Sequence, residues 1–192
     1  MRYKARFIAK GFIQYEGIDF TEVFLPIVKY KNIRLVIALV VQFNWKVEQM
    51  DVKTTFLHVL LEEDIYMMQP DGYVKSENLV CKLEGSLYGM KQSPCQWNKR
   101  FDGFVTSIGI NKSGYDSSLY FKGSMVEDMV MLLIYVDDMF LVSKEKGKVQ
   151  ELKRQLGFEF EMKDLGPAKK ILGISIMKER DKGMLKIHQE GY

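Results

Sequence analysis

Residues 128–143 read DMVMLLIYVDDMFLVS: eight apolar residues, Met129 to Val136, run into two adjacent carboxylates, Asp137 and Asp138, and a second apolar run leaves them. Like charges held side by side repel, so one carboxyl should resist ionisation unless a cation sits beside the pair. A plain hairpin tip competes with this reading, because Asp tolerates turn geometry and can bond its own backbone. Against it, the usual two-residue turn wants Gly or Asn where φ is positive, and neither is present. A third carboxylate, Asp51, ends the alternating stretch WKVEQMDV (45–52) and precedes KTTFLHVLL, a predicted short helix whose N-cap Asp51 could equally be. If the strand ending at Asp51 neighbours the strand leading into Asp137, the three acids converge. Hard oxygen donors of this kind suit Mg²⁺, with Mn²⁺ an alternative, since Mg²⁺ keeps waters and accepts substrate phosphates as its remaining ligands. Two such ions about 3.5–4 Å apart would activate an attacking hydroxyl and neutralise a leaving pyrophosphate. Successive strand residues point to opposite faces, so the turn must tilt one of the pair. The expectation is that Asp137 bridges the metals with Asp51 and that Asp138 is more peripheral.

The elements that must position these acids follow from periodicity. In 45–52, Trp45, Val47 and Gln49 alternate with Lys46, Glu48 and Met50, the pattern of a strand. RYKARFIAKGF (2–12) alternates in the same way and predicts a strand with one basic face. NIRLVIALVVQF (32–43) has helical spacing with Asn32 in the capping position. LVCKL (79–83), SLYF (118–121), MVMLLIYV and MFLVS read as strands. Trp97, Phe101, Phe104, Val105 and Ile108 form the apolar face of a helix, and KVQELKRQL (148–156) is a further amphipathic helix. KKILGISIM and GMLKIH are strand-like. The order predicts an α+β sandwich, an antiparallel sheet with helices on one face.

Composition bounds the rest. A chain of 192 residues with 47% hydrophobic and 28% charged residues is an ordinary globular balance, which excludes disordered and fibrous classes. The net charge of +3 is too small to identify a polyanionic partner, but Arg2, Lys4, Arg6 and Lys10 stand in residues 1–14 without an acid. Two cysteines, Cys81 and Cys95, build no disulfide framework and favour a reducing compartment. His58 and His188 lie too far apart to suggest zinc. Neither a long apolar span nor a signal sequence is evident, so a soluble intracellular protein with no membrane partner is expected.

YVDD (135–138), together with DVKTTFL (51–57) and SLYGMKQSPCQW (86–97), resembles the reverse transcriptase domain of copia-type long-terminal-repeat retrotransposon polyproteins. YKARFIAKGFIQYEGIDFTEVFLPIV, LEEDIYMMQPDGY, FEMKDLGPAKKILGISI and HQEGY follow the family's order, so the resemblance covers essentially the whole chain. It implies a polymerase palm, a ferredoxin- or RRM-like antiparallel sheet with helices on one face, plus partial fingers and a largely missing thumb. About 1–45 and 53–98 would be fingers-like, about 46–52 and 99–168 palm, and about 169–192 the primer grip and the start of the thumb.

The resemblance implies an RNA-directed DNA polymerase in which Asp51, Asp137 and Asp138 are catalytic and bind two Mg²⁺ ions with the Val52 carbonyl. It implies that Lys4, Arg6, Phe56, Tyr88 and Lys91 bind the incoming nucleotide, Phe56 being the aromatic that blocks a ribose 2′-OH. Tyr135 would lie below the primer end, Gly89, Gln92, Ser93 and Pro94 beside nucleotide and template, and Leu172 and Gly173 at the primer-grip turn. Implied partners are an RNA or DNA template with primer, a deoxynucleoside triphosphate, and the RNase H and integrase domains of the full polyprotein, in a cytoplasmic virus-like particle. Thr55, His58, Val59 and Cys95 depart from the family pattern, and Val59 replaces a Gly whose backbone angles a β-branched residue resists. Two alternatives stay open: a catalytically inactive remnant, and a nucleic-acid-binding module on the same sandwich, as in RNA-recognition domains. Structural readings also stand beside the functional ones, with Phe56 as core and Lys4 and Arg6 as a solvated strand face.

Overall fold

A computed structural model of the chain describes residues 6–171, 174–179 and 184–189. Lys4, Leu172 and Gly173 lie outside the described residues. The chain forms two compact units, Met1–Leu25 with Thr54–Gly103, and Pro26–Lys53 with Phe104–Tyr192.

The second unit holds the three acids. Its strands are β1 (Lys46–Val52), then β4 to β8 at Asn111–Lys112, Leu119–Lys122, Val130–Tyr135, Asp138–Ser143 and Met162–Pro167. They form one antiparallel sheet in the order β4-β5-β6-β7-β1-β8. Three further strands, β9 (Lys170–Ile171), β10 (Ile174–Glu179) and β11 (Met184–Gln189), make a small separate sheet.

Helix α1 (Tyr30–Gln42) packs Ile33 with Val28, Leu133 and Phe140, and packs Val36 and Val40 with Trp45, Met131 and Val142; Val47 joins both groups. Helix α3 (Lys146–Glu159) buries Val149, Leu152 and Leu156 and reaches Glu48 through Lys153 and Gln150. Adjacent residues of a strand point to opposite faces. Val47 toward α1 and Glu48 toward α3 therefore put these two helices on opposite faces, not on the single face expected. The physical reason lies in β6 and β7, which are apolar without alternation and buried along nearly their whole lengths, so both of their faces need cover.

The first unit contains β2 (Leu60–Met68) paired with β3 (Val80–Gly85), and most of helix α2, Ser93–Ser107. Two expectations fail here. Within the described residues the segment predicted as a strand over 2–12 makes one bridge, Ile8 to Tyr88, and then a 3₁₀ turn at Gly11–Ile13. It crosses the loop before α2 closely, since a Cβ on Gly11 would lie 1.9 Å from the Gly89 carbonyl oxygen. The helix predicted after Asp51 is only the 3₁₀ turn Thr55–His58, and β2 follows it at once. Val59 is extended at φ −109, so the substitution of a β-branched residue there brings no backbone strain. No helix among the described residues is long and apolar enough to cross a membrane.

Helix α1 starts two residues earlier than its sequence pattern suggests, and its N-cap is Lys29, which contributes no side-chain cap. Asp116 serves instead. It is 5% exposed, accepts the Lys29 N–H at 3.3 Å and the Ser118 N–H at 2.9 Å, and bonds the Asn32 amide. A carboxylate at this end also suits the positive pole of the helix dipole. Asp116→Ala strands buried donors at a cost of about 1–3 kcal/mol; a urea titration should show a lower midpoint with an unchanged slope.

Candidate active site

In the register between β1 and β7, Asp51 stands directly opposite Asp138, and between β6 and β7 Tyr135 stands opposite Asp138. Directly opposed residues of an antiparallel pair share a face, with Cβ atoms about 4.5–5.5 Å apart. Asp51, Asp138 and Tyr135 therefore share one face, and Gln49, two residues back along β1, lies on it too. Asp51 sits inside β1, and the residue capping the following 3₁₀ turn is Thr54, so the helix-cap explanation of Asp51 falls.

Val136 and Asp137 form the connecting turn, and Val136 supplies the left-handed conformation itself, at φ 57. The sequence argument against a two-residue hairpin, that no Gly or Asn was available, is thus overturned by a β-branched residue in a region such residues avoid. Strain of this kind costs about 1–3 kcal/mol and gathers at functional sites. The Asp137 carbonyl accepts the Val52 N–H at 2.9 Å, which folds the turn over the end of β1.

In this register Asp138 is the cross-strand partner of Asp51, and Asp137 is exposed at the turn. Asp138 is half-buried. Burial pushes its pKa up, the Gln49 amide that donates to its Oδ1 at 3.1 Å pulls it down, and the charge of Asp137 pushes it up again, with a net rise. Among the described residues no group of three or more His, Cys, Asp or Glu is gathered closely enough to hold a metal ion. The donor chemistry nevertheless fits a divalent cation, because the carboxylate oxygens are hard donors.

On the first unit, Arg6 lies 5.4 Å from the centre of the Tyr88 ring, and half-buried Phe56 meets the same ring edge-on at 5.1 Å. Three of the residues expected to bind nucleotide are thus brought together. Lys91 donates from Nζ to the Gln14 carbonyl at 3.0 Å and lies 4.9 Å from the Phe20 ring centre. Gly89 has φ 90, and a Cβ there would lie 2.3 Å from the Ala9 carbonyl oxygen, so only Gly fits beneath the crossing chain. Pro94 occupies the first turn of α2, where its missing N–H costs nothing.

Gln92 and Ser93 correct the expectation that they face a template. They are 1% and 0% exposed; Gln92 bonds the Asp19 carbonyl at 3.0 Å and the Gln14 amide at 3.1 Å, and Ser93 bonds the Leu87 carbonyl at 2.8 Å. They hold the loop from inside. Cys95 is buried as well, and burial pushes its thiol pKa up. Gln49 was missed as a site residue, although the alternation of 45–52 already set it on the side of Asp51.

The family model described as reverse transcriptase (RNA-dependent DNA polymerase) matches residues 1–192. The chain is 48% identical, over its full length, to the retrovirus-related Pol polyprotein from transposon TNT 1-94 of Nicotiana tabacum, of which it spans 15%. It is 36% identical over 90% of its length to the retrovirus-related Pol polyprotein from transposon RE1 of Arabidopsis thaliana, of which it spans 12%. Among solved structures, apo telomerase from Candida tropicalis truncated from the C-terminal domain aligns with 82% of this chain and 39% of that one, at 9% identity and a TM-score of 0.43.

Because burial and Asp137 disfavour the charged form of Asp138, its folded pKa lies above the unfolded value, and stability attributable to this group rises as pH falls through the folded pKa. Asp138→Asn should therefore melt a few degrees above the parent at pH 7, and the gap should close as both are taken to acid pH in calorimetric scans.

Proposed function

The chain belongs to the reverse transcriptase (RNA-dependent DNA polymerase) family, and from that premise we propose that the face carrying Asp51 and Asp138, with Asp137 at its turn, joins a deoxynucleotide to a primer 3′-OH on an RNA or DNA template. The curated relatives are retrotransposon Pol polyproteins of the copia type, and the chain spans less than a sixth of the two described above. The observation that supports the reading best is the register that sets Asp51 opposite Asp138 with Asp137 adjoining.

On this reading the carboxylates of Asp51, Asp137 and Asp138 and the carbonyl of Val52 hold Mg²⁺. When bound, the ions would sharpen the attacking hydroxyl and offset the charge of the leaving pyrophosphate. Exposed Asp137 turns inward to complete the set, and Gln49 keeps the Asp138 carboxylate oriented along the strand face. Tyr135, beside Asp138, offers a ring on which the primer terminus rests. In the other unit, Arg6 supplies positive charge to a triphosphate. Tyr88 and Phe56 supply a ring surface, and the volume of Phe56 excludes a 2′-OH. The unit Pro26–Lys53 with Phe104–Tyr192 corresponds to the palm, and the unit containing β2 and β3 to fingers. RNase H and integrase segments, and a cytoplasmic virus-like particle, belong to the full polyprotein on the same reading.

One observation favours a second reading, a domain that binds primer and template without extending it: no three acids are gathered as the described residues stand. Primer extension on a homopolymer RNA template separates the two. The parent chain should extend a primer in millimolar Mg²⁺, and Asp51→Asn and Asp137→Asn should reduce extension below detection while melting as cooperatively as the parent. Extension retained by either variant would remove the two-metal assignment, and a parent that binds the duplex but never extends it would establish the second reading.

A further inference from the structure

Three residues before Asp51, on the opposite face of β1, lies a charge cluster that the proposed chemistry does not use. Lys153 of α3 has a side chain only 6% exposed, and its Nζ contacts the carboxylate of Glu48 on β1, itself 13% exposed. The same Nζ reaches Asp164 Oδ1 on β8 at 2.6 Å. Gln150 adds a bond to Glu48 Oε2 at 3.1 Å, and Asp164 Oδ1 also accepts the Gly166 N–H at 2.8 Å. Burial pulls the Lys153 pKa down, but the bonds to Asp164 and Glu48 outweigh it, so the ammonium stays charged.

The cluster straddles an irregularity. Gln49 pairs with Gly166, whereas the next residue, Met50, pairs with Asp164, so Leu165 is an additional residue on β8. Gly166 has φ 72, a left-handed conformation suited to such a bulge. A bulge bends its strand, raises the local twist and re-aims neighbouring side chains. This one lies alongside Gln49 and Met50, immediately before Asp51. A buried ion pair is a poor source of net stability, because desolvation offsets most of the Coulombic attraction. What the ammonium does supply is a fixed geometry between β1 and β8.

We propose that Lys153 is a positioning residue: by joining Glu48 to Asp164 across the bulge, from the face opposite the acids, it fixes the angle at which β1 presents Gln49 and Asp51 to Asp138. The consequence for catalysis rests on the polymerase reading of Asp51 and Asp138; the consequence for the strand does not.

The full chain should be compared as parent, Lys153→Met, Lys153→Arg and the double variant Glu48→Gln with Lys153→Met, which removes both buried charges. The first measurement is the NMR position and hydrogen exchange of the Gln49 side-chain amide and the Asp51 backbone amide. Lys153→Met should move both signals and speed their exchange, and Lys153→Arg should restore them. A core variant on the same helix, Leu156→Ala, should lower the melting temperature without moving them. If Lys153→Met does not fold, the double variant carries the same comparison, because it leaves no unpaired buried charge. The second measurement is primer extension, where Lys153→Met should lose at least about tenfold in kcat, the scale of losing an outer-shell partner, with KM for primer–template unchanged. Parental Gln49 and Asp51 signals in a folded Lys153→Met or double variant would overturn the proposal. A parent that neither binds Mg²⁺ nor extends a primer would defeat the polymerase reading instead, with the NMR comparison still deciding the role of Lys153.

Discussion

The structure around the acids depends on one constraint, the antiparallel register of β1 against β7. It pairs Lys46 with Ser143 at one end and Asp51 with Asp138 at the other. A slip of one residue would turn Asp51 to the face that carries Glu48 and Lys153, and would send Val47 away from α1. The register is held by what lies between its ends. Phe140, Leu141 and Val142 on β7 and Leu132, Leu133 and Ile134 on β6 are all buried, each contributing about 1.5–3 kcal/mol on leaving water.

That apolar middle allows the unfavourable tip to exist. Val136 in a left-handed conformation costs about 1–3 kcal/mol, and the half-buried Asp138 beside Asp137 adds an electrostatic cost. One or two of the fully buried side chains behind them offset such a sum. The strands therefore continue as a rigid pair to the turn, and the turn accepts strain that a free hairpin would relieve. Gln49 moderates the cost by donating to Asp138 without neutralising it. On the other face Lys153 places one cation between two carboxylates, Glu48 and Asp164.

Strongly periodic or continuous apolar segments were legible in the sequence. The helices over 30–42, 93–107 and 146–159 and the strands β1, β6 and β7 form where alternation, helical spacing and the uninterrupted MVMLLIYV run place them. The helical cover on both faces was implicit in that run, because a strand facing water on one side would alternate. Segments whose neighbours decide their state were not legible. Residues 6–12 alternate like a strand, but the glycine crossing at Gly11 and Gly89 sets their path. β2 and β8, LLEEDIYMM and MKDLGP, carry too many charges to read as strands without knowing what they pair with. Within the site, the three acids were visible as residue types, but their partners were not. The placement of Asp138 opposite Asp51 depends on a turn that no Gly or Asn announces, and the interior bonds of Gln92 depend on Gln14 and Asp19, far away in sequence.

The claim on which the account rests is that Asp51 and Asp138 together offer a cation site on the face of β1 opposite Lys153. Paramagnetic broadening by sub-stoichiometric Mn²⁺, followed in the amide spectrum of the full chain, tests it most directly. The account predicts that signals of Asp51, Asp137, Asp138 and the Gln49 side chain broaden first, that excess Mg²⁺ restores them, and that Glu48 and Lys153 broaden later. Uniform broadening, or earlier loss at some other group of carboxylates while residues 49–51 and 137–138 stay sharp, would contradict it.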